Sequence, residues 1–279
     1  MGYSVEILLD SMSPAGCRLT TYELTYPRFI HAEILTHRAF SRSSSSSRAI
    51  PIERLIQRVI DDPVIPVSWG RNRKGMQAGA ELDGADREAA VRRWLLARDQ
   101  AVLNARELQE IGVHKQIVNR LIEPWMWITV ICTATEYGNF FYQRVSPLAQ
   151  PEIEKVARMM LDAYTASCPT QIAAGDWHLP FVRDDERDLP IETQLKLSAG
   201  RSARVSYLTH DGRHDPSEDM ALHDKLVSAK PGHWSPLEHQ AMALSEPEPS
   251  GNFVGWKQYR KFFKDENHDV IPGRAPAVP

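Results

Sequence analysis

Three things are scarce in this 279-residue chain, and each scarcity removes a class of function. It has only three cysteines, Cys17, Cys132 and Cys168, set far apart and without a CxxC pair. That argues against a disulfide scaffold and against a zinc site of ordinary spacing, and fits a reducing compartment. No apolar run reaches spanning length, and the N-terminus lacks a basic stretch followed by an apolar one. The expectation is a soluble, cytoplasmic protein with no membrane partner. An excess of positive charge is also missing: the formal net charge of -3 speaks against a protein that coats a nucleic acid polymer. Local basic clusters can still take small anions, nucleotides among them.

With 42% hydrophobic and 25% charged residues, the chain has the make-up of a globular protein with ample material for a core. Val5–Leu9 reads as a strand followed by a turn at Ser13–Gly16. Apolar periodicity predicts helices over Tyr26–Arg38, Pro51–Ile60, Arg87–Glu110 and Gln150–Tyr164, and another after Gly112 that is stopped by Pro124. Trp125–Cys132 is aromatic and β-branched, and periodicity leaves strand and helix both open. The Pro-, Gly- and Arg-rich stretch 63–84 reads as an ordered loop near the site or a mobile lid. Asp176–Pro190 reads as a connector, and Gln194–Ser228 as two helical pieces split at Asp211-Gly212. The last residues, 269–279, read as a disordered tail. The expected fold class is α/β (α+β), a sheet flanked by long helices, with 1–268 forming one domain.

The densest chemistry lies in residues 36–48, where one histidine, three arginines and six serines fall within thirteen positions. Guanidinium forks grip phosphate oxygens, and hydroxyls with backbone N–H groups fill the remaining acceptors. A flexible Ser-rich linker is the plainer reading, but Gly and Pro are absent until Pro51. His233 and His239 are spaced as metal ligands sometimes are, yet no Cys or acidic cluster supports them and no metal is expected. Arg120 and Arg144 also suit simple helix C-terminal charges.

Taken together these residues resemble the flavin-dependent (alternative) thymidylate synthases. That family's signature is R-H-R, seven residues and a serine, commonly with an arginine two further on. Here it reads Thr36-His37-Arg38, Ser46 and Arg48, with Glu33 where a Gln or Glu often precedes it. Arg120-Leu121-Ile122-Glu123-Pro124 resembles the family's R-x-x-x-P, with a one-residue ambiguity at Asn119. Asn139 to Arg144, then Ala149-Gln150-Pro151-Glu152-Ile153, resembles N-F-x-x-x-R and A-Q-x-E-I. Between these blocks the family places N-x-R, where this chain has Thr133-Ala134-Thr135. Ala203-Arg204-Val205-Ser206-Tyr207 and Gly232–His239 resemble a segment that ordinarily precedes the R-H-R motif. The chain therefore resembles a circularly permuted member, its 198–262 segment standing for the usual N-terminal portion.

The resemblance implies methylation of dUMP to dTMP, with methylenetetrahydrofolate as carbon donor and FAD, reduced by NADPH, as reductant, in a homotetramer. It implies catalytic roles for Arg144 and Ser46. It implies flavin contacts from His37, Arg38, Ser43, Ser44, Asn139, His233 and Ser235. Nucleotide contacts would come from Glu33, Ser46, Ser47, Arg48, Arg120 and Arg144. The departures at Thr36 and Thr133–Thr135 keep two alternatives open: a flavin- and folate-dependent pyrimidine nucleotide hydroxymethylase, and a non-catalytic nucleotide-binding homologue.

Overall fold

A computed structural model describes residues 2–207 and 215–267. Strands β1 (Ser4–Met12) and β2 (Arg18–Pro27) form a hairpin whose turn uses Gly16 at φ +72°, a left-handed conformation that favours glycine. With β3 (Ser41–Ser44), β4 (Trp127–Ala134) and β5 (Thr170–Gln171) they make a sheet of order β3-β4-β2-β1-β5. β5 runs parallel to β1, and every other neighbour is antiparallel. The Trp125–Cys132 ambiguity thus resolves to strand. β-branched and aromatic side chains suit a pleated sheet, and register with β2 is held from Thr20↔Ala134 to Pro27↔Trp127.

Period-2 geometry gives this sheet two unlike faces. Tyr22, Leu24 and Tyr26 of β2 join Ile128, Val130 and Cys132 of β4 in the main apolar core. Thr21, Thr25, Thr129 and Thr133 lie on the opposite face. The expected helix from Tyr26 to Arg38 is corrected here: β2 persists to Pro27, a 3-10 turn covers Arg28–Ile30, and helix α1 spans only His31–Leu35. Strand pairing overrides the local helical period, as tertiary context often does.

Helices α2 (Ile52–Asp61), α3 (Gly84–Glu110) and α4 (Lys115–Val118) pack with a 3-10 segment, Asn119–Trp125, around Leu55, Ile56, Val102, Val118 and Ile122. Pro124 sits inside that 3-10 segment rather than ending a helix before it. Helices α5 (Gly138–Arg144) and α6 (Pro151–Ala166) cover the apolar face of the sheet through Phe140, Ile153, Val156 and Met160. The Tyr22 hydroxyl donates to the Met160 carbonyl at 3.1 Å.

The C-terminal part covers the other face. β6 (Trp177–His178), in the expected connector, pairs with β7 (Ala241–Ala243), which pairs with β10 (Trp256–Gln258); β8 (Pro249–Ser250) and β9 (Phe253–Val254) form a small ladder. Helices α7 (Ile191–Tyr207) and α8 (Pro216–Ser228) lie side by side. They approach so closely that a Cβ at Gly200 would strike the Asp219 carbonyl oxygen. The expected Asp211-Gly212 break and the tail at 269–279 lie outside the described residues.

The α7–α8 contact is clamped by buried charge. Arg201 donates to Asp219 at 2.9 Å and to both Glu186 oxygens at 2.5 Å, and Arg204 also donates to Asp219. Hydrogen bonds from Arg201 hold the Glu186 carboxyl down at a pKa of about 2 against the opposing effect of burial. Asp219→Ala would leave two cations without their shared anion, which costs about 3–5 kcal/mol in a buried network. Urea unfolding should show a loss of that order; a loss below about 1 kcal/mol would mean the cluster behaves as a surface pair.

Candidate functional site

The serine-rich segment is a strand, not a linker, and its alternation sorts its side chains. Ser41, Ser43, Ser45 and Ser47 are buried, whereas Arg42, Ser44 and Ser46 are half-buried and Arg48 is exposed. Arg42 turns back to cap α1, donating to the carbonyls of Leu35 at 2.9 Å and His37 at 3.2 Å. This satisfies helix-end carbonyls and places a cation where the dipole favours it.

On the apolar side of the sheet, two sequence-distant pieces of the motif meet. The Arg144 Nε–H donates to His37 Nε2 at 2.9 Å. His37 is stacked on Phe40 and edge-on to Phe140, with ring centroids 5.8 and 4.8 Å apart. Burial, then the cations Arg144 and Arg42, lowers its pKa to about 4. At neutral pH His37 is therefore uncharged, its proton on Nδ1 because Nε2 accepts. Arg144 also lines a groove of about 830 Å³ roofed by residues from the 63–84 stretch, including Trp69, Met76 and Gln77. That stretch is tied down by Val67 N–H to Glu152 at 3.0 Å and by Gln77 to the Leu148 carbonyl at 2.9 Å. Of the two sequence readings of 63–84, the ordered loop beside the site matches these contacts.

On the other side of the sheet, Ser43 begins a continuous buried chain of hydrogen bonds. Its hydroxyl donates to the Ser235 carbonyl at 3.3 Å, so its oxygen accepts from His239 Nε2 at 2.9 Å. His239 Nδ1 then accepts from Thr133 at 2.9 Å, and Thr133 from Thr21 at 2.8 Å. Thr21 accepts from His178 Nε2 at 2.8 Å, and His178 Nδ1 accepts from Ser11 at 2.8 Å. Ser43, Thr133 and Thr21 each donate once and accept once, and Ser11 donates, which makes both imidazoles neutral Nε2–H tautomers. Burial drives both histidines to a pKa of about 3.

The remaining expected residues are spread over several elements. Ser47 is joined to the 3-10 segment by Asn119, whose amide donates to the Ser47 carbonyl, and Lys115 donates to the Ala49 carbonyl at 3.0 Å. The buried partner at the ambiguous position is thus Asn119. Arg120 is exposed and pairs with Glu123 at 2.7 Å. Glu33 keeps one buried carboxylate oxygen without a partner. Asn139 and Arg38 are exposed, with Asn139 accepting from Gln143 at 3.2 Å. His233 and Ser235 are exposed, and the His233 backbone N–H binds the Leu226 carbonyl at 3.0 Å. The structure brings His37 and Arg144 together on one side of the sheet, and Ser43 and Ser235 on the other.

Sequence reasoning missed Asn119, Lys115 and Arg42 as supports of the segment. The alternating pattern of residues 41–48 was the available signal for Arg42. It also missed that Thr133 and Thr135, standing where N-x-R is expected, are already engaged: Thr135 accepts the Val254 N–H at 3.3 Å.

The profile of the family described as thymidylate synthase complementing protein, Thy1, matches residues 12–170. The chain belongs to this family. No curated protein matches it. Among solved structures it is similar to the UMP/dUMP methylase PolB from Streptomyces cacaoi, with 5-Br UMP bound, at 16% identity and a TM-score of 0.46; the match covers 58% of this chain and 88% of that one. The same enzyme with 5-Br dUMP gives 16% identity and a TM-score of 0.45, covering 58% and 90%. Likenesses at this level carry no weight for activity. Among the described residues no helix is long and apolar enough to cross a membrane.

The neutral buried histidines set an acid limit on stability. Each has a folded pKa below its unfolded value near 6.5, so its contribution is complete above pH 6.5 and declines as pH falls toward the folded values of about 4 for His37 and about 3 for His178 and His239. Each fully buried histidine can remove up to about 1.4 kcal/mol per pH unit in that window. Thermal unfolding should show Tm falling between pH 7 and pH 5, with a shallower fall in His239→Gln. A Tm that is flat over this range would mean these rings titrate normally.

Proposed function

We propose that the protein methylates dUMP to dTMP, taking the carbon from methylenetetrahydrofolate and reducing equivalents from FAD recharged by NADPH. The observation that carries this reading is the His37–Arg144 hydrogen bond, because it unites the two blocks that the family's chemistry requires in one place. Family membership over residues 12–170 supplies the reaction class.

The residues present fit a bound flavin and nucleotide. Arg38 and Arg48 are exposed and, among the described residues, enter no ion pair, which leaves both guanidinium groups open to phosphates. Glu33 offers an unpartnered carboxylate oxygen that can accept from an imide or amide N–H. When bound, the flavin supplies the reducing equivalents. The protein's own part is positioning and charge. Ser46, Ser47 and Arg48 hold the nucleotide phosphate, with Arg120 as a further cation at the rim. Arg144 sets its cation against the pyrimidine, where it stabilises negative charge developing on the ring. His37, uncharged, steadies that guanidinium without competing for the same anion. Arg38, Ser44 and Asn139 face the cofactor, whereas Ser43 holds Ser235 on the opposite side of the sheet, with His233 in the same C-terminal segment. The 63–84 loop limits water over the Arg144 groove.

The same reading treats 1–268 as one unit with permuted segment order. Contacts of β3 and β4 with the 198–262 segment through Ser43, Ser235, His239 and Thr133 support this, since permutation leaves spatial contacts intact while changing chain order. Exposed Leu96, Leu103 and Ile117 support burial between copies in a homotetramer. A second reading, one-carbon transfer without final reduction, is favoured by one observation: Thr133 and Thr135 serve internal bonds at the N-x-R position.

The absorption spectrum of the purified protein, recorded before and after dUMP, tests the proposal. Oxidised-flavin bands near roughly 375 and 450 nm that shift with dUMP are expected. A colourless protein that FAD cannot reconstitute, yet that binds dUMP, would replace the enzyme by a nucleotide-binding homologue.

A further inference from the structure

A second cavity, of about 210 Å³, opens between α2 and the ends of β3 and β4, and none of Ser46, Arg48, Arg120 or Arg144 lines it. We propose that this cavity is a separate binding site for a small aromatic monoanion, a single ring carrying one carboxylate.

The walls set the ligand's body. Leu55 and Val59 from α2 and the indoles of Trp125 and Trp127 make an apolar, aromatic lining, which suits a flat ring. Both indole N–H groups are already used, by the carbonyls of Trp94 at 3.1 Å and Asp62 at 3.1 Å, so these rings offer faces and edges rather than donors.

The cations set its charge. Arg58 is half-buried, and among the described residues it enters no ion pair; burial and the neighbouring Arg54 both push its pKa below the usual arginine value. A desolvated guanidinium facing another cation gains from an incoming anion. Arg28 pairs with Glu123 at 2.9 Å through Nη2, but its Nε is buried with no acceptor. Ser45 accepts the Thr129 N–H at 3.3 Å, which leaves its O–H as a donor into the same space. Arg58 and Ser45 thus both line this cavity with a donor unused, and a carboxylate with a second polar substituent satisfies them.

Size and rim charge narrow the class. The cavity is below the roughly 300–1,000 Å³ usual for larger ligands, so it holds a ring and one anionic group rather than a whole nucleotide. Asp61 and Asp62 also line it, and their negative charge works against a doubly charged phosphate. The site thus differs in chemistry, as well as in place, from the nucleotide site proposed above, and its existence does not depend on that reading.

Calorimetric titration of the full chain with 4-hydroxybenzoate tests it. Saturable one-to-one binding is expected, weaker by at least about tenfold in Arg58→Gln, or ~1.4 kcal/mol, and less affected in Arg58→Lys. Ser45→Ala, on the opposite wall, should weaken binding severalfold, which keeps the test intact if Arg58→Gln loses its near-UV circular dichroism. Benzyl alcohol and inorganic phosphate should each bind more weakly than 4-hydroxybenzoate, and saturating dUMP should leave its affinity unchanged. No saturation up to about 10 mM, equal affinity in folded Arg58→Gln, or one-for-one displacement by dUMP would overturn the proposal.

Discussion

Burial of a hydroxyl-bearing sheet face is the constraint on which the rest of the structure depends. Thr21, Thr133, Ser41, Ser43 and Ser45 are all buried, and a buried donor left unpaired costs about 1–3 kcal/mol. One strand cannot satisfy this row alone. The C-terminal segment supplies what is missing: His239 bridges Ser43 and Thr133, His178 bridges Thr21 and Ser11, and the Gln258 amide donates to Ser41 at 2.8 Å. Because Ser43, Thr133 and Thr21 each have a defined donor and acceptor, the network tolerates one arrangement of the segment on the sheet. Polar networks fully satisfied in a low-dielectric interior favour such uniqueness. The segment order along the chain matters less than this spatial pairing.

The functional consequence runs through β3. Its buried serines anchor it from behind, and that anchoring fixes where its alternate residues and its flanks emerge. Thr36–Arg38 precede it, Ser46 and Arg48 follow it, and Arg42 locks α1 to it. α5, seated on the apolar face, then needs only to project Arg144 to meet His37. The neutrality of His37 follows from the same packing: Phe40 and Phe140 remove water, and two guanidinium groups oppose its protonation. A strand held on one face by hydroxyl bonds thus presents a cation-rich edge with little freedom to rearrange.

Much of this was legible in the sequence, and the remainder has physical reasons. β1, α2, α3 and α6 follow from apolar periodicity, and the pairing of Thr36–Arg48 with Asn139–Arg144 follows from the family resemblance. The strand character of Tyr26 and Pro27 was hidden because Ile30 and Ile34 continue a helical period just beyond, and only pairing with Trp127 and Ile128 decides the matter. The serine run looked uniform, although a period of two divides it into buried Ser41, Ser43, Ser45 and Ser47 and half-buried Ser44 and Ser46. His239 read as part of a family motif. Its bridging of two strands depends on residues about 106 and 196 positions away, a relation no local pattern contains.

The mass of the nucleotide product tests the central claim most directly. Purified protein would be incubated with dUMP, methylenetetrahydrofolate, FAD and NADPH, and the nucleotides separated and weighed by mass spectrometry. The account predicts dTMP, formed only when all components are present and lost in Arg144→Ala. Recovery of unchanged dUMP alone, from protein that holds flavin and binds the nucleotide, would contradict it.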